Sequence, residues 1–63
     1  MRENLRRCRV DRGWTQLDVA NILNISEKQY YRIENGYSNG TIKVWLQLRE
    51  LFKYSIDYLL EDK

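Results

Sequence analysis

The chain has 63 residues, 43% of them hydrophobic and 32% charged, and its formal net charge at pH 7 is +2. A chain this short buries only about 60% of its unfolded surface, so we predict one domain over residues 1–63 and no multi-residue cleft for a cofactor. Because histidine is absent and Cys8 is the only cysteine, the composition excludes a disulfide within the chain, zinc sites of the Cys/His type, and catalysis by Ser-His-Asp or Cys-His sets.

Two short helices are predicted at the start of the chain. Apolar residues recur with helical spacing over residues 2–12, and Gly13 is a natural stop. Thr15 then begins a second helix, with Asp18 three positions later in the arrangement of a capping box. The apolar face of this second helix is predicted to consist of Leu17, Val19, Ala20, Ile22 and Leu23.

A third helix follows after a sharp turn. Asn24 occupies the turn, and Asn is one of the few non-glycine residues that tolerate a left-handed backbone. Ser26 caps a helix that runs over about residues 26–35 and is closed by Gly36. The spacing over residues 16–36 is typical of a helix-turn-helix unit. The predicted shared core of the unit consists of Val19, Ala20, Leu23, Ile25, Tyr30 and Ile33. The second helix of the unit then presents outward Glu27, Lys28, Gln29, Tyr31 and Arg32.

The remaining residues predict two more helices. Thr41 begins the fourth helix and Ser55 caps a short fifth one. The apolar stripe of the fourth helix is predicted to be Ile42, Trp45, Leu46, Leu48, Leu51 and Phe52, and that of the fifth Ile56, Leu59 and Leu60. Cys8, Trp14 and Tyr30 are further predicted core residues. The sequence therefore predicts an all-α, compact five-helix domain.

The distribution of charge and the hydropathy of the chain indicate what kind of partner the protein meets and where it acts. The first 13 residues contain five arginines, whereas the end of the chain is acidic, so one side of the fold is expected to meet a polyanion. No stretch approaches the roughly 18 apolar residues that a membrane helix needs, and the N-terminus lacks an apolar signal core. We therefore expect a cytoplasmic protein that is not an enzyme and has no metal, cofactor, membrane segment or small-molecule ligand.

Several segments of the chain together resemble one family, the Xre-type, lambda-repressor-like helix-turn-helix proteins of bacteria and their phages. The resemblance covers roughly residues 3–60 without a gap. It rests on Arg12-Gly13-Trp14-Thr15-Gln16, Val19-Ala20, Ser26, Arg32-Ile33-Glu34-Asn35-Gly36 and Ser55-Ile56-Asp57-Tyr58-Leu59-Leu60. The chain departs from the family pattern at Asn24, where Gly is usual, at Gly40 for Pro, at Lys53 for a small residue and at Arg49 for a small apolar one.

The resemblance implies recognition of a double-stranded DNA operator in the major groove. It implies base contacts from Glu27, Lys28 and Arg32, because Arg and Lys match guanine O6 and N7 and Glu accepts from cytosine N4. Gln29 and Tyr31 flank the same face and are added to the candidate base contacts. The implied phosphate contacts come from Gln16, Asn35 and the helix start at Ser26. Gln16 is also implied to brace the recognition helix. The family also implies a structural ion pair between Arg9 and Glu34.

Two functions of different classes follow from this fold. The first is a transcriptional regulator, a repressor, that binds a palindromic operator as a homodimer; its predicted interface contains Tyr54, Ile56, Tyr58 and Leu60. The second is an antitoxin or adaptor that binds a protein through the aromatic surface of Tyr37, Tyr54 and Tyr58. The recognition face distinguishes them, because an adaptor has no need of Gln16, Lys28 and Arg32 together on one side.

Overall fold

The protein is built from five α-helices in the part of the chain, residues 1–61, that a computed structural model describes. They are α1 (Glu3–Asp11), α2 (Gln16–Leu23), α3 (Glu27–Glu34), α4 (Ile42–Phe52) and α5 (Ile56–Leu60). These described residues contain no β-strand, and the predicted all-α fold with its helix-turn-helix of α2 and α3 is confirmed. The predicted domain also includes residues 62–63, which lie outside the described residues, and its boundaries stay a prediction. None of the five helices has both the length and the apolar character needed to cross a membrane.

Side-chain caps fix where four of the five helices begin. The Thr15 hydroxyl accepts a hydrogen bond from the Asp18 amide at 3.0 Å, and the Thr15 amide donates to Asp18 Oδ2 at 2.8 Å. The predicted capping box of α2 is therefore present. Ser26, Thr41 and Ser55 likewise accept from the amide three residues ahead. Each cap satisfies an amide that has no partner inside the helix, so the predicted helix starts are confirmed.

The core lies where all five helices meet. The buried hydrophobic residues are Leu5, Cys8, Val19, Ala20, Leu23, Tyr30, Ile33, Val44, Trp45, Leu48, Phe52 and Leu59. Trp14, Ile25, Leu51, Ile56 and Tyr58 are partly buried and pack against this cluster. The predicted core of the two-helix unit is therefore largely correct, with Ile25 at its margin.

The predicted apolar stripe of α4 is wrong at two positions. Ile42 is 79% exposed and Leu46 is 40% exposed, whereas Val44, which the stripe omitted, is buried. Two apolar stripes with helical spacing run along α4, and packing against α2 and α5 selects the one through Val44, Leu48 and Phe52. Three residues of the other predicted stripes are also exposed: Leu17, Ile22 and Leu60.

Two non-glycine residues within residues 1–61 adopt the left-handed backbone conformation. Asn24 ends α2 with φ 60°, as predicted, and Lys53 ends α4 with φ 62°. A Cβ atom is strained in this region, and Asn offsets part of that strain through its short polar side chain. The lysine side chain has no such compensation, because its ammonium group lies far from its own backbone. The turn after α4 is therefore strained at Lys53.

Replacing Lys53 by glycine is expected to stabilise the fold. Glycine removes the steric penalty of the left-handed conformation but loses more backbone entropy on folding. The net gain in the free energy of unfolding should be about 0.5–1 kcal/mol, measured by urea denaturation. Lys53→Ala is the matched control, because it removes the same charge but keeps the Cβ atom. Equal stabilities for the two variants would contradict this explanation.

Candidate nucleic-acid interface

One face of α3 is polar and stands clear of the rest of the protein. Its inward face carries the buried side chains of Tyr30, Ile33 and Glu34. The other side chains of the helix are exposed, and these are the five predicted base-contact residues, Glu27, Lys28, Gln29, Tyr31 and Arg32. Lys28 and Arg32 are four residues apart and therefore lie on the same side of the helix. The structure thus brings the five candidates together on one accessible surface.

The start of α3 is held by a reciprocal pair of hydrogen bonds. Ser26 Oγ accepts from the Gln29 amide at 3.1 Å, and Gln29 Oε1 accepts from the Ser26 amide at 2.9 Å. This capping box uses the oxygen of the Gln29 side chain and leaves its NH₂ group as the donor for other contacts. The same cap orients the first amides of the helix toward solvent, where they favour an anion.

The side chains at the end of α3 interact with one another. Asn35 Nδ2 donates to the carbonyl oxygen of Tyr31 at 2.9 Å. The rings of Tyr31 and Tyr37 lie 6.3 Å apart in a tilted arrangement, although Tyr37 belongs to the following loop. Asn35, a predicted phosphate contact, therefore also fastens the end of the helix. A phosphate contact would use the second hydrogen of the Asn35 side-chain NH₂ group.

A buried carboxylate joins the first three helices. Glu34, 1% exposed at the end of α3, accepts from Arg9 Nε of α1 at 3.0 Å. Its second oxygen accepts from Gln16 Nε2 of α2. Arg9 also donates through Nη1 to the carbonyl oxygen of Trp14 at 2.8 Å. Both carboxylate oxygens are therefore satisfied, and the network fixes α3 relative to α1 and α2.

Gln16 donates to a residue of α3, in line with the implied bracing of that helix, although the resemblance did not identify the partner. We predicted a phosphate contact for it, and its side-chain nitrogen donates to Glu34. That nitrogen carries two hydrogens, so a second donation to an external acceptor is compatible with the internal one. Gln16 thus lies between the buried network and the surface at the start of α2.

Burial raises the pKa of two weakly acidic side chains in the core, those of Tyr30 and Cys8. Burial raises the pKa of the Tyr30 hydroxyl, and the nearby charge of Glu34 raises it further against the opposing effect of Arg9. Burial also raises the pKa of the Cys8 thiol, and Asp11 acts in the same direction while Arg12 opposes it. A protonated buried thiol is a poor nucleophile, so Cys8 is a core residue as expected.

The first turn of α4, which carries Lys43, borders the polar face of α3. A cleft of about 490 Å³ between α3 and α4 is lined by Gln29 and Arg32 on one side and by Lys43 and Gln47 on the other. Lys43 is not among the contacts predicted from the sequence. The sequence around Lys43 does not mark it as part of an interface, because a lysine in the first turn of a helix is common. The distance between Lys43 and α3 also depends on the intervening loop. The cleft extends the positive side of the interface toward α4.

Comparison with known proteins points to one family. A family model described as helix-turn-helix matches residues 5–59. The chain is 30% identical over 59 residues to the "SPbeta prophage-derived uncharacterized HTH-type transcriptional regulator YonR" of Bacillus subtilis (strain 168), covering 94% of this chain and 55% of that protein. It is 32% identical over 59 residues to the "Uncharacterized HTH-type transcriptional regulator YqaE" of the same organism, covering 94% and 51%. The chain spans about half the length of these curated relatives. No solved structure matches it significantly.

Proposed function

We infer that this chain, which belongs to the helix-turn-helix family, binds double-stranded DNA and regulates transcription by reading the major groove with α3. The observation that carries the proposal is the polar face of α3, on which Lys28 and Arg32 are exposed together. An α-helix fits the major groove of B-form DNA, where each base pair presents a distinct pattern of donors and acceptors. Both curated relatives are named as HTH-type transcriptional regulators, which supports the same function here.

The base contacts follow from the chemistry of the exposed side chains. Arg32 and Lys28 would donate to O6 and N7 of guanine, and Glu27 would accept from N4 of cytosine. Tyr31 would reach a thymine methyl group, and the free NH₂ group of Gln29 an acceptor on a base edge. These contacts would give the protein its sequence preference.

Phosphate contacts would set the position of α3 in the groove. Gln16 would donate one amide hydrogen to Glu34 and the other to a phosphate. The amides at the start of α3, held by the Ser26 cap, would favour a phosphate as well. Asn35 would contact the backbone beyond the other end of the helix. Because Gln16 also contacts the buried carboxylate, the phosphate contact and the orientation of α3 would be coupled.

The selectivity that regulation requires favours a homodimer on a palindromic operator. One helix-turn-helix unit reads a few base pairs, while a genome offers about 10⁶ or more competing sites. We propose a non-catalytic repressor whose half-sites lie about 34–36 Å apart, and whose binding to chromosomal DNA places it at the nucleoid. The proposed interface lies at α5, where the rings of Tyr54 and Tyr58 stack 4.6 Å apart. Ile56 and Leu60 lie on the same short helix.

A salt titration tests the proposal. The wild-type protein should bind a pool of random duplex DNA with an affinity that falls steeply as salt rises, because each phosphate contact releases counterions. Lys28→Gln removes a charge from the polar face of α3 and should weaken binding. Arg49→Gln removes a charge from an exposed residue of α4 that pairs with Glu50 at 3.5 Å, and is the matched control.

The outcomes separate the two candidate functions. A steep negative slope, with Lys28→Gln weaker than Arg49→Gln, supports a DNA-binding regulator. Binding that is absent or insensitive to salt would favour the antitoxin or adaptor, which has no need of phosphate contacts. In vitro selection of bound duplexes with the same protein would then show whether the preferred site is an inverted repeat.

A further inference from the structure

Arg2 is a buried arginine whose hydrogen-bond partners are backbone carbonyl groups. The residue is 6% exposed, although it lies just before the first helix. Its Nη1 donates to the carbonyl oxygen of Ile33 in α3 and, at 2.9 Å, to that of Ser38 in the following loop. Its backbone amide donates to the carbonyl oxygen of Glu34 at 2.8 Å. One residue thus fastens the end of α3 and the loop after it.

Trp45 of α4 holds the next carbonyl group of the same loop. The Arg2 guanidinium lies 5.3 Å from the centre of the Trp45 ring, within the range of a cation–π interaction. Trp45 Nε1 donates to the carbonyl oxygen of Asn39 at 2.6 Å. Two buried side chains in contact with each other therefore bind two consecutive carbonyl groups, those of Ser38 and Asn39. We call Arg2 and Trp45 the loop clasp.

The loop held by the clasp starts at the end of the polar α3 face. The amides of Tyr37 and Ser38 both donate to the carbonyl oxygen of Arg32, at 2.8 and 3.1 Å. At the far end, Gly40 has φ +68°, and a Cβ atom there would lie 3.1 Å from Trp45 Nε1. A side chain at position 40 would therefore crowd Trp45, and glycine lets the loop lie this close to the clasp. The same loop connects α3 to α4, and Ser38 and Gly40 line the α3–α4 cleft together with Arg32 and Lys43.

We propose that Arg2 is a positioning residue for DNA binding, which acts through the loop clasp by holding the end of α3 and residues 37–40 in the bound conformation. This inference rests on the proposed function for its affinity prediction. A loop ordered before binding removes an entropic cost that the complex would otherwise bear. Burying a guanidinium is itself unfavourable, and the hydrogen bonds of Nη1 to carbonyl groups offset part of that cost, while the buried Nε has no hydrogen-bond partner among the described residues. An apolar side chain of similar length can therefore preserve the fold while losing the clasp.

The test compares Arg2→Met with Arg6→Met. Both variants replace an arginine by the same side chain, but Arg6 is exposed and pairs with Glu3 of its own helix, at 3.2 Å. Amide hydrogen exchange of Tyr37 and Ser38, followed by NMR, should be about tenfold faster in Arg2→Met than in Arg6→Met. Affinity for a duplex recovered by in vitro selection with the wild-type protein should be about tenfold lower in Arg2→Met.

Three further measurements distinguish a positioning role of Arg2 from other roles. The slope of log affinity against log salt should equal that of the wild type in Arg2→Met, whereas loss of a phosphate contact would reduce it by about 1. Trp45→Phe keeps the aromatic ring but lacks the donor to Asn39, and should show faster exchange in the same loop. Arg2→Lys keeps the charge without the planar guanidinium and should recover part of the affinity. If Arg2→Met does not fold, the loop exchange and DNA affinity of Arg2→Lys and Trp45→Phe are compared with those of the wild type instead.

The results separate this inference from the proposed function. Equal exchange and equal affinity in the Arg2 and Arg6 variants would overturn the inference, and so would a reduced salt slope in Arg2→Met. If the wild-type protein selects no duplex, the proposed function fails, while the exchange measurement still decides whether the clasp orders the loop. Faster loop exchange without a loss of affinity would leave the clasp a purely structural feature and would also overturn the inference.

Discussion

Glu34→Ala is expected to destabilise the protein by about 3–5 kcal/mol, because it leaves the mostly buried Arg9 guanidinium without its carboxylate. It also removes the acceptor of the Gln16 side chain, so two donors lose their partner at once. A chain of this size is stabilised by only about 3–9 kcal/mol in total. The variant should therefore be largely unfolded at room temperature, which far-ultraviolet circular dichroism and urea titration would detect.

Two controls show whether the buried network causes that loss. Glu50→Ala removes a carboxylate that is exposed on α4 and pairs with Arg49, and should change stability by less than about 1 kcal/mol. Arg9→Met combined with Glu34→Leu replaces both charges by apolar side chains. This double variant should be considerably more stable than Glu34→Ala, because no unpaired charge remains buried. Equal losses for Glu34→Ala and Glu50→Ala would contradict the role assigned to the network.

The helix starts and turns could be predicted from the sequence because their causes are local. A Ser or Thr cap bonds an amide three residues away, as at Thr15 and Ser26, so residue type and spacing are sufficient evidence. The left-handed conformation of Asn24 follows from residue type in the same way. Lys53 shows the limit of this reasoning, because its conformation is set by the turn into α5 against the preference of its own side chain.

Features that depend on distant parts of the chain could not be predicted in the same way. The predicted apolar stripe of α4 was wrong at Ile42, because apolar spacing alone does not say which side of the helix faces α2 and α5. Arg2 was not a candidate at all, since its partners lie 31 and 36 residues away and are backbone oxygens, which any sequence supplies. A basic residue near the start of a chain is normally exposed, and nothing local marks this one as buried.

The candidate interface combines features with local causes and features that depend on distant parts of the chain. The polar face of α3 could be predicted because burial of Tyr30 and Ile33 fixes, by helical periodicity, which side chains point outward. The internal partners of Gln16 and Asn35 could not, because each depends on where a neighbouring group lies. Base contacts remain predictions of the resemblance and of the side-chain chemistry, and they require DNA for their test.

Arg32→Ala should relax the sequence preference at one base pair by about 1–3 kcal/mol, a change of roughly 5- to 150-fold in discrimination. The reason is that a guanidinium donates two parallel hydrogen bonds to O6 and N7 of guanine, and alanine offers no replacement. The measurement is the affinity of both proteins for a selected duplex and for duplexes altered at each position of the half-site. The fold should persist, because the Arg32 side chain is exposed.

Gln16→Ala provides the contrast that makes the Arg32 result specific. Loss of a phosphate contact should weaken binding to every duplex alike and lower the salt slope, without changing which base is preferred. Gln16→Ala also removes the hydrogen bond to Glu34. The DNA affinities of Gln16→Ala and Arg32→Ala are therefore compared at a temperature where urea titration shows that both variants are folded. If Arg32→Ala kept the preference at every position and only weakened binding, Arg32 would belong with the phosphate contacts. Recognition of the DNA base sequence would then depend on the remaining candidates, Glu27, Lys28, Gln29 and Tyr31.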